Sequence, residues 1–340
     1  MHCAVATNAV LMASINKTSA EESMLRSVTA VAAVIFAVST VQAQTYPDRP
    51  VHVYVGYAAG SGPDIQARTV SQALGTALGQ SFIVENRTGA NGTIAARAVV
   101  QAAPDGYTML FSSSSIAPTP YIYKNLGYNL LTDLKPVATI GELDGVFMLV
   151  DAKSPFKSVP ELIDYAKKNR VLYGSPGVGN ELHLKAELFN QQAGIKMEHV
   201  PYKGASEVMT GLLSGAVQVM FVTPPSVMGL LKEGRVRALA FTGTKPFAAF
   251  PDVPLMSKYL PNYVSGSWGM FFAPAKTPDA IVDKLNAAIH AALLKPEVAA
   301  IMQRDGYMPD TRNAAATQAF FRQKVEDTAA TVKAAGIVPQ

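Results

Sequence analysis

The sequence predicts an α/β protein built as two lobes. Short runs of β-branched and apolar residues alternate with helical patterns along most of the chain. Its 340 residues, 49% hydrophobic and 16% charged, suffice for about two domains with cores of their own. The pattern also changes character twice, and the closing helices have only one clear strand to cover. They are expected to return to the first lobe, so that the chain crosses between lobes twice. Two α/β lobes joined by a double hinge form a clamp.

The segment before the first strand reads as a leader. From Met24 it runs MLRSVTAVAAVIFAVSTVQAQ. Arg26 supplies a positive start, Val28 to Val38 an apolar run, and Val41-Gln42-Ala43 a small-residue cleavage site. The apolar run is short for a membrane span. Cleavage before Gln44 is expected, with Met24 as an alternative start, and with it export to the periplasm. The only cysteine, Cys3, falls in the leader, so no disulfide or thiol chemistry is expected of residues 44–340. The formal charge of +4 is spread without a basic block, which gives a nucleic-acid surface little support, and no nucleic-acid partner is expected.

The strands expected in the first lobe are Val51–Tyr57, Phe82–Asn86, Thr108–Ser112 and Val137–Ile140, with helices Pro63–Leu78 and Thr93–Ala102 between them. The second lobe carries strands Val146–Val150, Val171–Gly174, Met197–Val200, Val217–Val222 and Val236–Thr242. Helices Val159–Lys168, Glu181–Gln192, Glu207–Leu213 and Val227–Lys232 separate them. A Pro-rich stretch then leads to strand Met270–Ala273 and helices Pro278–Leu293, Pro296–Arg304 and Ala314–Ala335. Continuous apolar strands point to mostly parallel sheets covered on both faces. Ser158, with proline in the first turn and Glu161 three residues on, is a helix start. Gly194, Gly234 and Gly336 are helix stops. The domain reading is 1–43 leader, 44–143 with 266–340 as lobe 1, and 144–265 as lobe 2.

Ligands of parallel sheets sit beyond the carboxyl ends of strands, where helix N-termini point. Three loops there are small and polar. The first is Ala58-Ala59-Gly60-Ser61-Gly62-Pro63-Asp64, the second Ser112 to Ala117, the third Gly174 to Asn180. Small residues admit close approach, and unpaired amides at helix starts favour an anion or another acceptor. Tyr57, Ala59, Gly60, Ser61, Gly62, Asp64, Ser113, Ser114, Ser175, Gly177, Gly179, Asn180, His183 and Thr223 are the candidate ligand contacts. Asp64 can contact ligand or support its own first helical turn, and His183 can equally be a helix-surface residue. Trp268 and Tyr202 fit a pocket wall or plain packing. G-x-G-x-x-G, P-loop, H-E-x-x-H and G-x-S-x-G patterns are absent from the sequence. His52, His183, His199 and His290 have no metal-ligand spacing. No catalytic residue, cofactor or metal is expected; a hydrolase using a serine from 112–115 is the enzymatic alternative.

Several segments, in order, resemble the Bug-type receptors, the periplasmic solute-binding components of tripartite tricarboxylate transporters. They include YPDRPVHVYVGYAAGSGPD, VENRTGANGTI, AAPDGYT, YGSPGVGNELHLKAELF, EHVPYKG and FPDVPLMSKYLPNY. The resemblance covers nearly all of 46–340. It implies a Venus-flytrap fold that closes on a small carboxylate between the first loop and Ser175–His183. It also implies membrane transporter subunits as partners, and a monomer is expected. A ligand sensor feeding a signalling partner is the alternative role. This chain departs from many relatives at Ala59 and Ser61 and at Asn180-Glu181-Leu182. It has Val222 where many members place an aspartate able to meet an ammonium group. These departures favour an aromatic or aliphatic carboxylate over an amino acid, with an amide-type or neutral ligand as the alternative, and Glu181 would repel a second carboxylate if it faces the cleft.

Overall fold

The computed structural model describes residues 46–339; the leader lies outside them. From Arg49 onward the chain forms one compact unit. It runs β1 (Val51–Val55), α1 (Gly62–Leu78), β2 (Phe82–Asn86), α2 (Thr93–Val100), β3 (Thr108–Ser113), α3 (Thr119–Ile122) and β4 (Leu134–Leu143). Next come β5 (Phe147–Asp151), α4 (Val159–Ala166), β6 (Leu172–Ser175), α5 (Glu181–Ala193), β7 (Glu198–Pro201), α6 (Ala205–Leu213), β8 (Val219–Val222), α7 (Met228–Lys232) and β9 (Val236–Phe241). The chain closes with β10 (Ser267–Pro274), α8 (Asp279–Leu293), α9 (Pro296–Arg304), β11 (Tyr307–Met308) and α10 (Ala314–Ala334).

Two sheets result, one per lobe. The first has the order β11-β4-β10-β3-β1-β2 and the second β7-β6-β8-β5-β9. Both are mixed, which corrects the expectation of mostly parallel sheets. In the first, β1 pairs in parallel with β2 and β3, while β10 is antiparallel to β3 and β4. In the second, β6 is parallel to β7 and β8, and β5 is antiparallel to β8 and β9. The reason is the double crossing. β4 leaves the first lobe and β10 re-enters it, so the two run in opposite directions, from Ser267↔Leu143 to Pro274↔Leu134. β5 enters the second lobe and β9 leaves it, with the same outcome. Only stretches with a helical crossover between strands stay parallel.

The crossings are laced together. Thr242 Oγ1 accepts from the Val146 N–H at 2.8 Å and donates to the Ser265 carbonyl at 2.6 Å. Thr242 N–H donates to Val146 O, and Ser265 N–H to Thr242 O. Asp144 accepts from Thr244 N–H, Thr244 Oγ1 and Lys245 N–H.

Each lobe has its own core. Beneath the first sheet, Leu110, Met270, Phe272 and Trp268 pack with Phe321 of α10, so the terminal helix covers this lobe. Trp268 is therefore a core residue, edge-on to Phe321 at 6.0 Å. The second core centres on Phe147, against Phe241, Phe247 and Phe250. Local signals hold where the sequence placed them. Ser158 Oγ accepts from Glu161 N–H, and Glu161 accepts from Lys157 N–H. Gly194, Gly234 and Gly336 adopt the left-handed conformation that stops a helix.

Candidate functional site

A cavity of about 430 Å³ lies between the lobes, at the carboxyl ends of β1, β2, β3, β6 and β8. The N-termini of α1 and α5 both reach it, through Gly62 and Pro63 on one side and Asn180 and Glu181 on the other. First-turn amides have no partner within their own helix, so these ends are electropositive donors.

The rim after β1 is held from beneath by a carboxylate. Asp64 is 3% exposed. It accepts from Gly60 N–H at 2.9 Å, from Asn86 Nδ2 at 2.7 Å and from Arg68 Nε at 3.0 Å. Asn86 also donates to Tyr57 O. Burial alone would raise the Asp64 pKa; the bonds from Arg68, Asn86 and Gly60 outweigh it and hold the carboxyl below its ordinary value. Asp64 is absent from the cavity lining among the described residues, and its bonds brace the loop. Ser61 precedes α1 without a side-chain capping bond. It lines the cavity, and its buried hydroxyl has no hydrogen-bond partner among the described residues.

The opposing rim, after β6, rests on imidazoles. Ser175 Oγ donates to Gly177 O at 3.0 Å and lies 2.6 Å from His199 Nε2, which makes that nitrogen the donor. Gly179 N–H donates to His183 Nδ1 at 2.8 Å. The His183 and His199 rings stack at 3.8 Å, with Tyr173 beside them. Burial, helped by His199, pushes the His183 pKa down to about 3, and burial pushes His199 down to about 4. Both are neutral at pH 7, and at His183 the bond that Nδ1 accepts requires it.

The lobes meet in a closed arrangement. Asn180 caps α5 through Leu182 N–H, and its Nδ2 donates to Ser115 Oγ across the cleft at 3.0 Å. Glu181 is buried and faces the cleft. It accepts from Ser114 Oγ, from Ser267 Oγ at 2.9 Å and from Lys185 Nζ at 3.1 Å. Asn91, in the turn after β2, donates to Val178 O at 2.7 Å. Gly179 is in van der Waals range of Ile122, where an added Cβ would lie 2.1 Å from Cδ1.

Of the residues singled out in the sequence, Tyr57, Ser61, Gly62, Ser113, Gly177, Asn180 and Thr223 line the cavity. Ala59 and Gly60 form the exposed tip of the first rim. Ser114 is turned to Glu181 and Ser267, while Ser175, Gly179 and His183 support the second rim from behind. Tyr202, a pocket-wall candidate in the sequence, and Ser115 of the second loop also line it, as do Asn91, Tyr123 and Lys203, which the sequence reading passed over. One signal was present: GANG follows β2, whose carboxyl end is also a ligand edge. There Gly89, Ala90, Asn91 and Gly92 all have positive φ, a strained run of the kind that concentrates at functional sites. As for the serines at 112–115, Ser112 and Ser113 bond the Tyr57 hydroxyl, Ser114 bonds Glu181 and Ser267, and Ser115 accepts from Asn180.

Comparison with known proteins agrees with this architecture. The family model described as the tripartite tricarboxylate transporter family receptor matches residues 66–337. Protein BugT of Bordetella pertussis is 32% identical over 301 residues, 87% of this chain and 92% of that protein. The structure of the periplasmic binding protein BugD is 32% identical with a TM-score of 0.82, covering 87% of this chain and 100% of its own. A structure of R. palustris Rpa4515 with adipate is 31% identical with a TM-score of 0.83, again covering 87% and 100%. The chain therefore belongs to the tripartite tricarboxylate transporter family receptors, the Bug-type solute-binding proteins.

Proposed function

We propose that this receptor works in the periplasm, after removal of its leader. There it captures a small organic carboxylate between its lobes and presents it to membrane subunits of a tripartite tricarboxylate-type transporter. The carrying observation is the convergence of two helix N-termini on one cavity, with the partnerless Ser61 hydroxyl between them and Lys203 also in its wall. A carboxylate satisfies such donors. The adipate-bound relative supports the ligand class. The lobes are taken to divide at 143/144 and 265/266, and the protein to act as a monomer without a chemical step. Asn180 and Glu181 bond Ser115, Ser114 and Ser267 of the first lobe in the closed arrangement, and through these bonds closure is coupled to capture.

Thermal unfolding against a panel of organic acids tests this. At least one acid is expected to raise Tm in a concentration-dependent way, and Ser61→Ala to weaken that acid by about threefold to tenfold. A panel in which no acid shifts Tm, while neutral sugars or amines do, overturns the reading.

A further inference from the structure

The cavity wall offers more than donors for an anion. Asn91 is 8% exposed, and its Oδ1 has no hydrogen-bond partner among the described residues. The orientation of its amide is fixed: Nδ2 donates to Val178 O at 2.7 Å, and a carbonyl can only accept. The same Nδ2 also donates to the Tyr123 hydroxyl at 3.2 Å. Tyr123 Oη is thereby used as an acceptor, and its proton is available to donate. Asn91 and Tyr123 together present one free acceptor and one free donor at one place in the cavity wall.

The charges near the cavity narrow what can answer them. Among the described residues the only acid lining it is Glu181, whose oxygens are occupied by Ser114, Ser267 and Lys185. An ammonium group entering here would find no carboxylate free to pair with it. A second carboxylate has no proton to give Asn91 Oδ1 and would set its lone pairs against that oxygen, in a wall that already holds the Glu181 carboxylate. A methyl group would leave both Asn91 and Tyr123 unmet, and a buried polar group without a partner weakens binding. A hydroxyl or a primary carboxamide both donates and accepts, and satisfies the pair.

Building on the carboxylate reading of the site, we infer that the ligand is a monocarboxylate bearing a second, neutral group that donates and accepts hydrogen bonds. That group is a hydroxyl or a carboxamide, and it is recognised by Asn91 with Tyr123. The backbone makes this position unusual. Asn91 sits at φ +55° next to Ala90 at +46°, a conformation that asparagine tolerates better than most residues.

A matched ligand series measured by calorimetry on the purified protein tests the inference. Straight-chain acids of several lengths carry, at the far end, a methyl, a hydroxyl, a carboxamide, a carboxylate or an ammonium group. At the best length, the hydroxyl or carboxamide member is expected to bind at least about tenfold tighter than the methyl, carboxylate and ammonium members. In Asn91→Gly, which keeps the left-handed backbone, that preference is expected to shrink to about threefold or less while carboxylate binding persists. A dicarboxylate or methyl-ended acid that binds as tightly as the hydroxyl and carboxamide members at every length overturns the inference and leaves the carboxylate reading standing. So does a preference that survives Asn91→Gly unchanged. If no member of the series binds and no other organic acid does, the carboxylate reading fails, and this inference with it.

Discussion

The two rims of the cleft do the same job with different materials. The rim after β1 is fastened by an ionised carboxylate, Asp64, beneath the loop and bonded to Arg68, Asn86 and the Gly60 amide. The rim after β6 is fastened by two neutral imidazoles, His183 and His199, stacked behind it. One brace depends on keeping a charge, the other on refusing one. Each is the form its surroundings stabilise: three donors converge on Asp64, while burial dominates at the histidines. Similar loops therefore fail under different conditions.

Acid should separate them most strongly. A histidine whose folded pKa lies below its ordinary 6.5 contributes stability that is fully present above that value. The contribution is lost as pH falls toward about 3 for His183. The Asp64 contribution is present above the ordinary carboxyl value of 3.8 and is lost only below it. Between about pH 6.5 and pH 4 the second rim weakens and the first does not, by an amount on the order of 3 kcal/mol for each buried imidazole at the lower end. Urea unfolding across this range is expected to show the loss, and His183→Gln, which cannot take up a proton, to remove the His183 share while the His199 share remains. A flat wild-type profile would remove the distinction between the rims.

Asp64→Ala attacks the other brace. It leaves Asn86 Nδ2 and the Gly60 amide without their acceptor, and is expected to cost about 2 kcal/mol at neutral pH. The pH dependence above pH 4 should stay as in wild type, since the imidazoles are untouched. The smallest effect separates the rims by what they meet. Gly60 and Gly179 have nearly the same left-handed φ, +76° and +71°, but an added Cβ at Gly60 meets nothing within 4 Å. Alanine at either site should cost about 1 kcal/mol in strain. Only Gly179→Ala, which collides with Ile122 of the other lobe, should also reduce ligand affinity, by about tenfold. Equal affinities for the two variants would mean that the second rim does not close against α3.

Much of this was readable in the residues. β2, α9 and the starts of α4 and α5 fall where periodicity and capping residues put them, because those signals are local. The strand directions were not readable, since they depend on β4 and β10 being neighbours across more than a hundred residues of chain. β11 has two residues, Tyr307 and Met308, paired to the end of β4; no propensity reveals a strand that short. At the site, the loops after β1 and β6 were legible from small polar residues before a helix. Within them the sequence could not distinguish Ser61, which faces the cavity, from Asp64, which braces the loop; only their partners in space do. Asn91 escaped notice because its importance comes from a carbonyl in the other lobe, at Val178. Glu181 was recognised as a question of direction, and the start of α5 answers it by turning the carboxylate to Ser114 and Ser267.

The lacing at Thr242 limits how the molecule can open. Its single hydroxyl is shared between the outgoing and returning connections, so neither can flex independently without giving up a buried bond. The protein thus has an axle rather than a ball joint. Bending one connection therefore carries the other with it, through the bonds Thr242 makes to Val146 and Ser265.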